Sequence, residues 1–261
     1  MTALNVMLSP EQIVVCADTL ATLPDTGLPF SFVSKVYVLP HFDLLMAGTG
    51  SGPVAKRWFD ILNGELLARD VVDIDQYAPD ALRRCAPETL GQLYGGVTAT
   101  IYHFGWAQQL QAFVGFVYRS VNGYASERLP SIGSFHKPEL DGAEAWTDGT
   151  VDGILRDVVE QQLQDRRRER RERVGIGGSA CIHIYNAPEQ GQEAHPVLTV
   201  LRRPLPLGES DYELMLDGMS GPEVSLSTAA ILAKADLLDQ ALIDAGCARG
   251  TAESERLTPT P

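Results

Sequence analysis

The chain has 261 residues, a hydrophobic fraction of 44% and a formal net charge of -13 at pH 7. This length and composition are typical of a globular protein with a large buried core. A nucleic-acid partner is not expected, because phosphate binding requires concentrated lysine and arginine on the protein. The first apolar segment, residues 4–8, lacks a basic flank, and no run approaches the ~20 apolar residues of a membrane-spanning helix. The sequence therefore predicts a cytoplasmic protein with no membrane partner.

The first fifty residues predict four strands before any helix. Residues 2–8 and 13–17 are apolar segments on either side of a Ser-Pro-Glu-Gln turn, which indicates a hairpin. A polar loop is predicted over residues 19–29. Residues 33–39 and 44–47 then form a second predicted pair of strands.

The remainder of the chain alternates helices with strands. Apolar positions at helical spacing predict helices over residues 53–67, 74–94 (with a break at Pro79 or Pro87), 150–173 and 225–245. Strands are predicted over residues 96–104, 109–118, 125–132, 180–185 and 197–201. This order favours two antiparallel sheets packed face to face, with helices on both outer sides. Residues 1–205 form the predicted core, residues 206–248 a helical extension and residues 249–261 a disordered tail.

Four cysteines, at positions 16, 85, 181 and 247, show no paired spacing, and five histidines show no metal-ligand spacing. We therefore predict neither a disulfide framework nor a metal site, and no cofactor. The arginine-rich run over residues 166–173 includes two glutamates, which favours the solvated end of a helix over a nucleic-acid site.

Three segments of the N-terminal region carry a family resemblance. They are Ile-Val-Val-Cys-Ala-Asp over residues 13–18, Ser-Lys-Val-Tyr over residues 34–37 and Met-Ala-Gly-Thr-Gly over residues 46–50. Thr2 precedes Asp18 by sixteen positions, and Lys35 follows Asp18 by seventeen. Together these features resemble the proteasome-type N-terminal-nucleophile (Ntn) hydrolases, in particular bacterial proteasome β-subunit-like peptidases. The resemblance implies an α+β fold, a four-layer αββα sandwich of two antiparallel sheets flanked by helices.

The same resemblance implies a catalytic role for each matched residue. Thr2 would be the nucleophile once Met1 is removed, with its own free amine as the base. Lys35 would lower the pKa of that amine and Asp18 would hold Lys35 charged. The backbone N–H of Gly48 would stabilise the oxyanion. Ser134, in a Gly-Ser pair that resembles a family turn, would hydrogen-bond the Thr2 amine or a water that relays protons.

Two functions remain open from the sequence. The first is a threonine-type peptidase or amidohydrolase in a homo-oligomeric ring, with peptide or unfolded-protein substrates and an ATP-dependent unfoldase as partner. The second is a catalytically inactive structural subunit of the same fold, with a role in assembly or gating. Active relatives carry an Asp and a Ser where this chain has Arg173 and Ile176. The spacing of Thr2, Asp18 and Lys35 favours the enzyme.

Overall fold

The computed structural model describes residues 2–22, 29–90, 98–140, 150–168, 174–188 and 195–205. The strands in these ranges are β1 (Leu4–Leu8), β2 (Gln12–Asp18), β3 (Leu20–Thr22), β4 (Pro29–Phe32), β5 (Val36–Leu39), β6 (Leu44–Gly50), β7 (Ala99–Ala107), β8 (Ala112–Arg119), β9 (Ser126–Arg128), β10 (Gly133–Lys137), β11 (Ser179–Asn186) and β12 (Val197–Pro204). The helices are α1 (Gly52–Gly64), α2 (Val71–Leu90) and α3 (Val151–Arg167). The proposed extension and tail, residues 206–261, lie outside the described residues.

The strands form three antiparallel sheets. One five-stranded sheet has the order β10-β1-β2-β11-β12, and the other has the order β5-β6-β7-β8-β9. The third sheet contains only β3 and β4. Both N-terminal predicted hairpins are present, and they belong to different large sheets.

Three apolar clusters hold these elements together. The first lies between the two large sheets, where Val15 of β2 and Phe104 of β7 are fully buried. In the second, α1 and α2 pack on the sheet that contains β6, with Trp58 fully buried. In the third, Ile154 and Val158 of α3 pack on the sheet that contains β1 and β2. Burial of apolar surface is the main stabilising contribution to such an arrangement.

The predicted fold class, a four-layer αββα Ntn sandwich, is wrong. The described chain is strand-rich and has three sheets, whereas the prediction allowed two. The physical reason lies in residues 19–29, which were predicted to be a polar loop. Leu20 is 2% exposed and pairs with Phe32. The start of the predicted loop therefore lies in β3, and its last residue begins β4. Three-residue strands carry too little periodicity to be recognised from sequence.

Smaller differences concern element boundaries. α1 ends at Gly64, and Leu67, predicted to lie in it, is 97% exposed. α2 runs from Val71 to Leu90 without a break at Pro79. Within the described ranges, no helix is long and apolar enough to cross a membrane.

Candidate active site

Four of the five predicted site residues meet where β2 ends, β5 begins and Thr2 leads into β1. The Thr2 hydroxyl Oγ1 lies 3.5 Å from the carbonyl oxygen of Gly48. The backbone N–H of Ala3 donates to Asp18 Oδ1 at 2.9 Å, and Lys35 Nζ donates to the same oxygen at 2.7 Å. Thr2 is only 5% exposed. The structure therefore places Thr2 beside a buried charge pair.

Strand register explains why residues so far apart in sequence converge. In the first hairpin Leu4 pairs with Ala17, so Asp18 at the end of β2 lies opposite Ala3. In the second hairpin Val36 pairs with Ala47, which places Lys35 opposite Gly48. Each two-strand unit thus brings one half of the site to the same end.

Asp18 is the central acceptor of the site. Its side chain is fully buried, and it accepts from Ala3, Lys35 Nζ and the backbone N–H groups of Leu20 and Gly177, the last two at 3.2 Å each. A buried carboxylate requires such compensation, because transfer of an unpaired charge from water is strongly unfavourable. Asp18 is thereby fixed in position and holds Lys35 in turn.

Lys35 is a buried cation, with 7% of its side chain exposed. Burial lowers its pKa from the ordinary value, while the charge of Asp18 and the hydrogen bond to it act in the opposite direction. A lysine with a lowered pKa releases its proton more readily than an exposed one. This side chain can therefore act as a local positive charge or take part in proton exchange.

Gly48 has a packing role in addition to its predicted chemical one. A Cβ atom at this position would lie 2.6 Å from the Cβ of Ala55 in α1. Its backbone N–H, the predicted oxyanion donor, donates to the carbonyl oxygen of Lys35 at 3.2 Å. In this structure the donor is therefore engaged within the protein.

Ser134 is the predicted residue that the structure does not bring to Thr2. Gly133 and Ser134 are not a turn: they begin β10, and Ser134 pairs with Met7. Met7 lies five positions along the extended chain from Thr2, a distance of about 16 Å at the usual rise per residue. The residue of β10 nearest to the site is Lys137, which pairs with Leu4.

Sequence reasoning missed the residues that hold the loop before β11. Asp165 of α3 is 2% exposed, and it accepts from the backbone N–H groups of Val174 at 2.6 Å and Gly175 at 2.9 Å. Gln162 Nε2 donates to the carbonyl oxygen of Ile176 at 3.1 Å. The next residue, Gly177, donates to Asp18. These contacts support Asp18 through the main chain, and Arg173 lies outside the described residues.

A signal for this pair was present in the sequence. The buried face of α3 continues from Ile154 and Val158 to Gln162 and Asp165, which keeps helical spacing although the residues change from apolar to polar. Leu163, which was assigned to the buried face, is 39% exposed.

Among the described residues, no group of three or more His, Cys, Asp or Glu side chains could hold a metal ion.

No protein-family model and no curated protein matches this sequence. Solved structures match it by fold. One is Anbu (ancestral beta-subunit) from Yersinia bercovieri, with a TM-score of 0.51 and 10% identity over 90% of this chain and 97% of that one. Another is an Anbu (Gly-1) mutant from Hyphomicrobium sp. strain MC1, with a TM-score of 0.55 and 13% identity over 91% of this chain and 99% of that one.

These likenesses correct the predicted family. The recognition of a proteasome-type Ntn hydrolase, resembling bacterial proteasome β-subunit-like peptidases, is wrong, because the matching structures are of Anbu, a proteasome-like but distinct family. At 10% and 13% identity the likeness shows the fold alone. The chain therefore shares the fold of these ancestral beta-subunit structures.

Proposed function

We propose that this chain is a threonine peptidase or amidohydrolase whose nucleophile is Thr2, made N-terminal by removal of Met1. One observation carries the proposal: Asp18 Oδ1 binds both Lys35 Nζ and the backbone N–H of the residue that follows Thr2. A buried cation and the backbone next to Thr2 are thereby fixed against a single carboxylate. Ion-pair networks can be purely structural, but this one also holds the residue that follows the hydroxyl-bearing Thr2.

The proposed chemistry uses both functional groups of Thr2. The α-amine accepts the proton of Oγ1 as that oxygen attacks the carbonyl carbon of a peptide bond. The positive charge of Lys35 disfavours protonation of the amine, so that the amine is available as a base. The tetrahedral intermediate expels its nitrogen, which takes up the proton, and leaves an ester on Thr2. Water then hydrolyses the ester and restores the hydroxyl.

Two geometric features define what must change when substrate binds. The distance of 3.5 Å between Thr2 Oγ1 and the Gly48 carbonyl oxygen exceeds that of an ordinary O–H···O hydrogen bond, so the hydroxyl is weakly held. The Gly48 N–H stabilises an oxyanion only if the substrate oxygen shares or replaces the Lys35 carbonyl. Its bond of 3.2 Å is at the long limit for N–H···O, which favours such an exchange.

The proposal includes a homo-oligomeric ring that acts on peptides or unfolded proteins supplied by an ATP-dependent unfoldase. Its support is the β-subunit-like fold. The alternative, an inactive structural subunit, is favoured by the engagement of the Gly48 N–H with Lys35.

The test begins with the intact mass of the purified protein, which reports whether Met1 is removed. Hydrolysis of a panel of fluorogenic peptides and simple amides is then compared between the wild type and Thr2→Ala, Thr2→Ser and Thr98→Ala. We expect Thr2→Ala to lower kcat by more than about 1,000-fold, as loss of a nucleophile does in other enzymes. Thr2→Ser should keep part of the activity, and Thr98→Ala, an exposed control, should keep all of it. Retained Met1, or equal activity in Thr2→Ala, would refute the mechanism.

A further inference from the structure

A cavity of about 450 Å³ lies along β10, on the side of the molecule where β10 faces β7 and β8. Its wall contains Lys137 of β10, Arg119 at the end of β8 and the aromatic rings of Tyr102 and Phe135. The volume falls in the range of about 300–1,000 Å³ that is usual for small-molecule sites. Of the residues assigned to the Thr2 chemistry above, Ser134 lines it, whereas Thr2, Asp18, Lys35 and Gly48 do not.

Lys137 is a half-buried cation without a carboxylate partner among the described residues. Its Nζ donates to the hydroxyls of Thr49 at 2.8 Å and Thr100 at 3.4 Å, and it lies 5.8 Å from the centre of the Tyr102 ring. An ammonium group has three hydrogens, and these two hydroxyls account for two. Buried charges are normally paired, as Lys35 is paired with Asp18.

A second cation, Arg119, lines the same cavity. Burial lowers the pKa of Lys137 from its ordinary value, and the charge of Arg119 lowers it further. Like charges that share a cavity favour a bound anion, which would stabilise both. Arg119 is also paired with Glu127 through one of its terminal nitrogens, which leaves its other N–H groups for a ligand.

The remaining wall is suited to an apolar group. The Tyr102 and Phe135 rings are stacked with their centroids 5.5 Å apart, and Leu8 and Leu129 complete this part of the cavity. Glu139 also lines the cavity and is exposed. Its negative charge opposes the binding of anions, and it opposes a ligand with two anionic groups more than a ligand with one.

We propose that this cavity binds a monocarboxylate carried on an apolar body, with Lys137 and Arg119 as its cationic contacts. The Thr49 and Thr100 hydroxyls orient the ammonium, and the Tyr102 and Phe135 rings contact the body of the ligand. Two sources share this chemistry: a free small acid, and the C-terminal carboxylate of a peptide that ends in an apolar residue. The site is independent of the proposed Thr2 activity.

The experiment is isothermal titration calorimetry on the full chain. The probes are 3-phenylpropionate with its neutral amide, and N-acetyl-Ala-Phe as the free acid with its C-terminal amide. We expect at least one acid to bind at least about 10-fold more tightly than its amide, which corresponds to one missing charge contact. The acid that binds more tightly identifies the source.

Four variants complete the test. Lys137→Met and Arg119→Met should each weaken binding of the acid by at least about 10-fold. Lys56→Met, which removes an exposed lysine on α1, is the matched control and should leave the affinity unchanged. Circular dichroism establishes that each variant is folded, and Thr2→Ala should bind as the wild type does. The proposal is overturned if folded protein binds neither acid, if acid and amide bind equally, or if both cavity variants retain wild-type affinity.

Discussion

Asp165 near the end of α3 accepts a hydrogen bond of 2.9 Å from the backbone N–H of Gly175, which has a positive φ of 73°. The same carboxylate accepts from Val174 at 2.6 Å. Gly175 has no room for a side chain, since a Cβ atom would lie 2.4 Å from Thr22 Cγ2. Asp165 therefore fixes the main-chain loop that leads to Gly177 and Asp18.

Asp165→Asn should destabilise the protein and loosen this loop. The amide keeps one acceptor oxygen but places an NH₂ group against a backbone N–H, so we expect a loss of about 2–3 kcal/mol in the free energy of unfolding. Urea denaturation measures the loss, and hydrogen exchange at Val174 and Gly177 should become faster. Asp60→Asn, on the exposed i,i+4 pair with Lys56, is the matched control and should cost at most about 0.5 kcal/mol. Equal effects of the two substitutions would contradict the assigned role.

Lys35→Met should be more costly, because it leaves the fully buried Asp18 carboxylate without its cation. Breaking a buried pair on one side typically costs about 3–5 kcal/mol. Adding Asp18→Asn to Lys35→Met should recover part of this loss, since no uncompensated charge then remains. The measurement is a double-mutant cycle by urea denaturation, and strict additivity of the two changes would refute the coupling.

Gly178→Ala should destabilise the protein for two separable reasons. Gly178 has a positive φ of 73°, and a Cβ atom there would lie 2.4 Å from Thr19 Oγ1. Gly123 has a positive φ of 66° but nothing within 4 Å of a Cβ. Gly123→Ala should therefore cost about 1–2 kcal/mol from backbone strain alone, and Gly178→Ala about 1–3 kcal/mol more from overpacking. Thermal unfolding of the two variants measures this difference, and similar values would show that the clash relaxes freely.

His103 makes the stability depend on pH on the acidic side. Burial lowers its pKa to about 3, and its Nε2 accepts the indole N–H of Trp58 at 2.8 Å. The His103 imidazole binds a proton less readily in the folded state than in the unfolded state. Its contribution to the free energy of unfolding is therefore fully present above about pH 6.5 and is lost as the pH falls towards 3. Between pH 7 and pH 5 the loss from this one group is about 2 kcal/mol.

The measurement is urea denaturation of the wild type and His103→Gln at the two pH values. Glutamine keeps an acceptor for Trp58 but cannot titrate, so the variant should lose less stability on acidification than the wild type. His195→Gln is a comparison variant for which the change of stability with pH should have the opposite sign. The hydrogen bond and charge of Asp43 raise the pKa of the exposed His195, so its contribution is present below the unfolded pKa and lost as the pH rises. An unchanged pH slope in His103→Gln would refute the assignment.

The sequence was sufficient to predict the two hairpins, one of which places Asp18 opposite Ala3, next to Thr2, and the other Lys35 opposite Gly48. Both hairpins are short-range, and fixed strand register converts their spacing directly into proximity. The site beyond them depends on contacts between distant segments. The position of Ser134 depends on the register between β10 and β1, which a Gly-Ser pair in the sequence does not specify.

Buried polar residues were the other source of error. Asp165 stands beside an arginine-rich run, and charged residues at a helix end are usually solvated. Only the loop that packs against α3 makes this carboxylate a buried acceptor. The same limit applies to Lys137, whose burial results from the approach of β10 to the other large sheet.

The hydrogen bond from Gly177 to Asp18 joins residues that are 159 positions apart. The ribosome therefore synthesises the two N-terminal hairpins long before it synthesises Gly177, the last donor to this carboxylate. During synthesis Thr2 is present, but the charge cluster next to it is unfinished until the loop before β11 has emerged and docked. If Thr2 is the nucleophile, its full reactivity is delayed until most of the described chain has been made, which would protect the nascent chain from its own hydrolytic activity.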